Sequence, residues 1–204
     1  MKRILLSQGR TGSLNLTRYI RESNLDIKVY REPFNTTAAR DTNITYSLEE
    51  IINNENIFVE NKIGEGSLPS ELKSLTTDDL VLNLKSKFEK IGILCRKDLQ
   101  AQTESVLNAK FSNLWHIQYV YKEVDINLFP EFKFLLEDES KRLKNISTTY
   151  SIPIFYYEDL YGVSQIKELQ KFCDYFCIKF NQVYMDKHMN SKNKYRVDIT
   201  KKII

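Results

Sequence analysis

The residues best suited to binding a phosphate group lie near the start of the chain, where an apolar segment runs into a turn with two glycines. Arg3–Ser7 is predicted to be a strand, and Gly9 and Gly12 follow it. Glycine lets the backbone turn tightly and approach a ligand, and the free N–H groups of the next helix add positive potential. A positive charge and hydroxyl donors come from the remaining loop residues, Arg10, Thr11 and Ser13. The pattern predicts a phosphate cradle.

This loop differs from the nucleotide-binding loop GxxxxGK[ST] of ATP- and GTP-binding proteins. Its second glycine, Gly12, is followed by Ser13 instead of lysine, and the loop is shorter. In the standard loop, the lysine reaches the β- and γ-phosphates. The sequence therefore argues against an ordinary ATP or GTP site.

Short apolar segments alternate with amphipathic segments along the whole chain. The segments predicted as strands are Arg3–Ser7, Ile27–Arg31, Ile57–Glu60, Ile91–Cys95 and Ile154–Tyr157. The segments predicted as helices are 13–23, 46–53, 77–88, 98–111, 131–148 and 164–178. This order predicts an α/β fold of three layers, with a parallel sheet flanked by helices. Ligands bind at the carboxyl edge of such sheets, so residues that follow the strands are the site candidates.

A second group of polar residues follows the fourth predicted strand. Arg96 comes directly after this strand, and Asp98 is placed to cap the next helix, on which Gln102 and Ser105 share one face. A guanidinium can bind a phosphate through two hydrogen bonds, and a nearby hydroxyl can complete the site. Two alternatives stay open: Arg96 could instead form a surface salt bridge with Asp98 or Glu104, and Ser105 could be a small residue facing the sheet.

Three motifs resemble those of sulfotransferases that use 3′-phosphoadenosine 5′-phosphosulfate (PAPS), most closely the bacterial trehalose-type branch. Residues 10–14, Arg-Thr-Gly-Ser-Leu, are similar to the family's Arg-Ser-Gly-Ser-Thr loop. Arg-x-Asp-x-x-x-Gln-x-x-Ser at 96–105, followed by Trp-His at 115–116, resembles the family's 3′-phosphate motif. Residues 157–160, Tyr-Glu-Asp-Leu, resemble the motif after its last strand. The resemblance implies a P-loop-like sulfotransferase fold.

The resemblance also implies ligand contacts and a reaction. Arg96 and Ser105 would bind the 3′-phosphate of PAPS. The 5′-phosphate and sulfonyl end would lie on the loop residues Gly9, Arg10, Thr11, Gly12, Ser13 and Leu14. The expected reaction moves a sulfonyl group from PAPS to a hydroxyl of a small molecule or glycan, best guessed as a carbohydrate, and releases 3′,5′-adenosine bisphosphate (PAP). No metal is expected, because a transferring sulfonyl group is formally neutral whereas a phosphoryl group carries charge that metal ions neutralise.

The candidates for catalysis follow the second and third predicted strands. Related sulfotransferases place a catalytic glutamate where Glu32 lies, and Pro33 is expected to hold Glu32 extended. A salt bridge of Glu32 with Arg31 or a lysine is the alternative. Lys62 occupies a position where many family members carry a lysine that contacts the leaving phosphate, although a solvated loop lysine fits as well. Lys62 and Arg10 are expected to be the electrophilic helpers of a Glu32 base.

His116 is the second candidate for the base. It lies beside Trp115 at a predicted helix end, where a structural or acceptor-binding role is favoured. The cytosolic branch of the family carries a histidine two residues after the lysine, and Gly64 occupies that position here. This difference favours Glu32 as the base.

Composition and charge narrow the possible partners. With 204 residues, 42% of them hydrophobic, the chain fits one globular domain over residues 1–204, and a net charge of +3 is too small for a general nucleic-acid binder. The apolar run near the N-terminus is too short for a signal peptide or membrane span, so a cytoplasmic location is expected. Residues 185–204 are predicted to be a basic tail, or a lid whose Lys194 or Arg196 contacts the 3′-phosphate.

Other segments and functions stay open at this point. The segments 34–47 and 63–77 are predicted loops over the site, and residues 117–130 fit core packing, an acceptor cleft or a homodimer contact. A metal-dependent nucleotide or metabolite kinase would need a loop lysine and a magnesium-binding carboxylate, which the sequence does not place. A degenerate nucleotide-binding module would keep Arg96 and Ser105 but would not need Glu32.

Overall fold

The computed structural model describes residues 1–34, 46–63, 72, 75, 77–112 and 126–189. Its strands are β1 (Lys2–Ser7), β2 (Lys28–Arg31), β3 (Ile57–Lys62), β4 (Lys90–Cys95) and β5 (Ile154–Tyr156). Its helices are α1 (Ser13–Ser23), α2 (Leu48–Ile52), α3 (Thr77–Lys87), α4 (Leu99–Ser112), α5 (Phe129–Tyr150), α6 (Tyr157–Leu160), α7 (Gln165–Phe176) and α8 (Gln182–His188). A short 3₁₀ turn, Ile126–Leu128, leads into α5.

The strands form one parallel sheet in the order β2-β3-β1-β4-β5. β1 lies in the middle, so the chain crosses to one side of it to form β3 and to the other side to form β4. Ser7 pairs with Lys62, and Arg31 pairs with Glu60. The carboxyl ends of β1, β2 and β3 therefore meet at the same edge of the sheet.

Apolar side chains on the two faces of the sheet form two core clusters. Leu5 and Phe58 belong to the cluster that packs against α1, α7 and α8. Leu6 and Val59, the next residues along the same strands, belong to the cluster that packs against α2, α3 and α5. This alternation is the two-residue period of a strand buried on both faces. The predicted three-layer α/β fold is confirmed.

The C-terminal part of the described chain differs from the prediction. Residues 185–188, the start of the segment predicted to be a basic tail or lid, belong to α8. Asn181 begins the helix by accepting hydrogen bonds from the backbone N–H groups of Val183 and Tyr184, and Met185 is buried. Lys194 and Arg196 lie outside the described residues.

A buried arginine joins β1 to the end of α7. The Arg3 side chain, in a residue only 4% exposed, donates hydrogen bonds to the carbonyl groups of Phe176 and Cys177 and to the Asn56 side chain. It also donates to the carbonyl group of Ile57. The last carbonyl groups of a helix have no partner within the helix itself, so Arg3 satisfies polar groups that burial would otherwise leave unpaired.

Candidate functional site

The loop between β1 and α1 makes its turn at two residues with left-handed backbone conformation. The φ angles are 63° at Arg10 and 77° at Gly12. A Cβ atom on Gly12 would lie 2.8 Å from two ring carbons of Tyr157 and 3.0 Å from the ring of Tyr161. The Tyr161 hydroxyl donates a 2.7 Å hydrogen bond to the Gly12 carbonyl. Conformation and space therefore both require glycine at position 12.

The loop is open on its other side. A Cβ atom on Gly9 would meet no heavy atom within 4 Å, and the Gly9 carbonyl accepts a 2.7 Å hydrogen bond from the Gln102 side-chain amide. The Thr11 hydroxyl is turned inward and donates to the Gln8 carbonyl at 2.9 Å. Thr11 thus supports the loop with its side chain, and Leu14, the second residue of α1, is partly exposed.

The structure brings the two predicted phosphate motifs into contact. Arg10 Nε donates a 2.9 Å hydrogen bond to Ser105 Oγ, which joins the loop after β1 to α4. Arg96 Nη1 donates to the Arg10 carbonyl at 3.4 Å. Arg10, Arg96 and Ser105 therefore lie close together, although Arg10 is far from the other two in sequence.

The Tyr-Glu-Asp-Leu segment holds the second motif in place. The Glu158 carboxylate accepts hydrogen bonds from the backbone N–H groups of Lys97 at 2.9 Å and Asp98 at 3.1 Å, and lies 3.5 Å from Arg96 Nε. The Arg96 guanidinium carbon lies 4.6 Å from the centre of the Tyr157 ring. Arg96 is therefore fixed by stacking and an ion pair with Glu158, instead of the salt bridge with Asp98 or Glu104 considered from the sequence.

Glu32 and Lys62 form an ion pair at the same edge of the sheet. Lys62 Nζ lies 2.6 Å from Glu32 Oε1, and Glu32 is 9% exposed. The expectation that Pro33 holds Glu32 extended is wrong, because the φ angle of Glu32 is 45°. The Glu32 backbone N–H donates a 2.7 Å hydrogen bond to the Glu60 carbonyl, so this bond and the ion pair hold an uncommon conformation in place.

Sequence reasoning missed Glu60, a fully buried residue of β3. Its carboxylate accepts a hydrogen bond from the Ser7 hydroxyl. Burial raises the pKa of Glu60, the positive charge of Lys62 opposes this, and the negative charge of Glu32 adds to it. The hydroxyls of Ser7 and Ser13 also lower the pKa. The sequence contained one signal that could have identified Glu60: a charged residue at the end of a strand that was predicted to be covered on both faces.

Glu139 on α5 was also missed. Burial raises its pKa, while the side chain of Gln8 and the positive charges of Arg142 and Lys62 lower it. Gln8 also donates a 3.3 Å hydrogen bond to the Leu136 carbonyl. A second partly buried carboxyl group thus lies within the electrostatic reach of Lys62. No periodic pattern in the sequence marks α5 as a neighbour of the loop.

Other predicted site residues lie outside the described part of the chain. These include His116 with Trp115, Gly64, and most of the two loops at 34–47 and 63–77. Among the described residues, no group of three or more His, Cys, Asp or Glu side chains is arranged to hold a metal ion. Within the same residues, no helix combines the length and the apolar character that crossing a membrane requires.

A comparison with solved structures finds a protein of similar fold. A crystal structure of the mouse sulfotransferase SULT7A1 complexed with PAP is similar to this chain, with a TM-score of 0.58. The two chains share this fold. The sequence identity is 16%, and the match covers 93% of this chain and 63% of the mouse chain. No protein-family model and no curated protein matches the sequence. At this identity the likeness shows the fold alone, so any activity has to be argued from the site residues.

Proposed function

We propose that this protein is a PAPS-dependent sulfotransferase that sulfates a hydroxyl group, with a carbohydrate as the acceptor. The observation that carries the proposal is the contact between the loop after β1 and the motif after β4, made by Arg10 with Ser105 and by Arg96 with the Arg10 carbonyl. PAPS has a phosphate at the 3′ position and a phosphosulfate at the 5′ position. Adjacent groups that can each bind a phosphate suit a ligand of this kind.

The open space in front of the loop supports the same proposal. A Cβ atom on Gly9 would have no neighbour within 4 Å, whereas Gly12 is closely packed. A ligand can therefore approach the Gly9 backbone, and the start of α1 supplies N–H groups next to it. The mouse protein of similar fold is known in complex with PAP. We infer that PAPS binds this chain with its 5′ end on the loop and its 3′-phosphate near Arg96 and Ser105.

The proposed chemistry assigns separate roles to Glu32 and Lys62. The Glu32 carboxylate takes the proton of the acceptor hydroxyl as the oxygen–sulfur bond forms. Lys62 and Arg10 stabilise the negative charge that develops on the oxygen of the leaving 5′-phosphate as the sulfur–oxygen bond breaks. The 2.6 Å contact between Glu32 and Lys62 supports the proposal because it places base and electrophilic helper side by side.

Two finer parts of the proposal, the carbohydrate acceptor and the bacterial trehalose-type branch, come from the sequence resemblance. The cytoplasmic location and a homodimer are further parts of the proposal and do not rest on that resemblance. Carboxylates can accept hydrogen bonds from the hydroxyl groups of a sugar. Glu32 and Glu139 are two carboxyl groups that interact with Lys62, which supports a sugar as the acceptor. Sugars, phenols and lipids should be compared as acceptors in a transfer assay with labelled PAPS.

Thermal unfolding tests nucleotide binding directly. A ligand that binds only the folded state raises the melting temperature, so PAP without magnesium should stabilise the protein and ATP with magnesium should do so weakly. A larger shift with ATP and magnesium would favour the kinase alternative and contradict the proposal.

A conservative substitution tests the base. Glu32→Gln should reduce the rate of sulfonyl transfer by about 10²- to 10⁴-fold and leave the PAP-induced thermal shift in place. Glu49→Gln, an exposed change on α2, is the matched control and should keep full activity. Retained turnover by Glu32→Gln would assign the base to another residue.

A further inference from the structure

A carboxyl group is buried beside the end of β1, where the loop proposed to bind the phosphosulfate begins. Glu60 has no solvent exposure, and its partner in the sheet is Leu5 of β1. One carboxylate oxygen accepts the hydrogen bond from Ser7, the last residue of β1 before the loop. The other oxygen, Oε2, is also buried and has no hydrogen-bond partner among the residues that the structure describes. A buried carboxylate oxygen without a partner is costly in its ionised form.

Two charged side chains of the described residues act on Glu60. Lys62, two residues later on the same strand, attracts it, but the Lys62 Nζ atom is in contact with Glu32 at 2.6 Å. Glu32 follows β2 and adds a second negative charge near Glu60. Glu60 and Glu32 therefore both interact with Lys62. In such an arrangement the more deeply buried group binds a proton more readily.

An anion on the loop adds a third negative charge to this neighbourhood. The loop begins after Ser7 and α1 begins at Ser13. The hydroxyls of both residues lower the pKa of Glu60. A bound phosphate also attracts Lys62, so the positive charge of Lys62 then compensates less of the negative charge of Glu60 and Glu32. Both effects favour the protonated form of Glu60.

We propose that Glu60 takes up protons from solvent, up to one per nucleotide bound, when the 5′-phosphate end of the nucleotide binds the loop, which makes donor binding and proton uptake one linked event. This inference rests on the proposed function. The added proton lies on the Glu60 carboxyl group, no covalent bond changes in the nucleotide, and the proton is released when the nucleotide leaves. Protonation removes the negative charge of Glu60, so the carboxyl groups hold Lys62 less strongly and Lys62 can interact with the bound anion. Glu60 is thus a positioning residue, since it acts on the ligand through Lys62.

Calorimetry can measure this proton directly. PAP is titrated into the protein near neutral pH in two buffers that differ in ionisation enthalpy, and the difference in heat gives the number of protons taken up. Glu60→Gln keeps the size of the side chain and imitates the neutral form. We expect the wild type to take up measurably more protons than Glu60→Gln, by up to one per PAP bound. The titration of PAP's own phosphates is common to both proteins and cancels in the comparison.

Two further variants make the assignment specific. Glu49→Gln, on the exposed face of α2, should take up as many protons as the wild type. Ser7→Ala removes the hydrogen bond that favours the ionised carboxylate, so a larger fraction of Glu60 should be protonated before binding than in the wild type, and uptake should fall. Ser7→Ala also provides the test if Glu60→Gln fails to fold.

The outcomes separate this inference from the proposed function. If PAP binds the wild type and the Glu60→Gln variant with equal proton uptake, the linkage is wrong and the nucleotide site stands. If wild-type uptake is unchanged in Ser7→Ala, the proton is not on Glu60. If PAP binds none of the proteins, the proposed function is wrong and the linkage fails with it.

Discussion

The two glycines of the loop give opposite predictions for the same substitution. Gly12 has a φ angle of 77°, and a Cβ atom there would lie 2.8 Å from the Tyr157 ring. Gly9 has no left-handed φ, and its Cβ atom would meet nothing within 4 Å. Gly12→Ala should therefore destabilise the fold, whereas Gly9→Ala should leave stability nearly unchanged.

The magnitude for Gly12→Ala has two contributions. A left-handed conformation costs a residue with a Cβ atom about 1–2 kcal/mol. Overpacking against well-packed side chains costs about 1–3 kcal/mol, and here the Tyr157 and Tyr161 rings stack with their centres 4.6 Å apart, so neither can move without disturbing the other. The expected loss in free energy of unfolding is about 2–5 kcal/mol. For a chain of this size, the melting temperature should fall by about 4–20 °C.

Thermal and urea unfolding followed by circular dichroism measure this effect, and PAP titration completes the comparison. Gly9→Ala should melt within about 2 °C of the wild type, since surface changes usually alter stability by less than about 0.5 kcal/mol. Its methyl group would nevertheless enter the space proposed for the nucleotide, so PAP affinity should fall. Equal melting temperatures for Gly12→Ala and the wild type, or equal losses for the two variants, would refute this account of the loop.

Three further predictions concern residues that the ligand is not proposed to contact. Arg3→Met should lower the free energy of unfolding by about 3 kcal/mol in urea titrations, because it leaves the buried carbonyl groups of Phe176 and Ile57 without their donor. Glu158→Ala should weaken PAP binding about tenfold in calorimetry, because the turn that carries Arg96 loses two hydrogen bonds at a cost of about 1–2 kcal/mol. Burial raises the pKa of Glu60 in the folded state, so the wild type is most stable below the pKa of the unfolded chain and loses stability as pH rises through the folded pKa. Urea titrations from pH 5 to 9 should show Glu60→Gln gaining stability relative to the wild type, by at most about 1.4 kcal/mol per pH unit.

The sheet could be predicted from the sequence because its strands are short, apolar and separated by amphipathic helices. Each predicted strand agrees with an observed one to within two residues, and the largest difference is at β3, which continues to Lys62 instead of ending at Glu60. That extension has a physical reason. Asn61 and Lys62 are polar, but they pair with Leu6 and Ser7 of the neighbouring strand β1, and only the register of the sheet brings these partners close. Composition along one segment does not contain that information.

The candidate site was predictable where residues follow strands directly. Glu32 and Lys62 lie together because β2 and β3 are neighbours with matched carboxyl ends, which is a general property of parallel sheets. The backbone of Glu32 was not predictable, because its left-handed φ depends on the ion pair and on the hydrogen bond to Glu60. The interaction of Glu139 with Gln8 and Lys62 was not predictable either, since a long stretch of sequence separates α5 from the loop.

The Glu32–Lys62 contact places a constraint on any reaction at this site. Lys62 Nζ is in contact with Glu32 Oε1 at 2.6 Å. The same lysine is proposed to stabilise the leaving phosphate, so one cation is shared between base and donor. In the proposed reaction Lys62 therefore has to leave Glu32 for the donor when the acceptor hydroxyl loses its proton to Glu32. Uptake of a proton by Glu60 fits this sequence, because it removes the second carboxylate that would otherwise hold Lys62 back. If the protein transfers a sulfonyl group as proposed, the Glu60→Gln variant should therefore require a different pH for half-maximal transfer than the wild type, and an unchanged pH profile would contradict this role of Glu60.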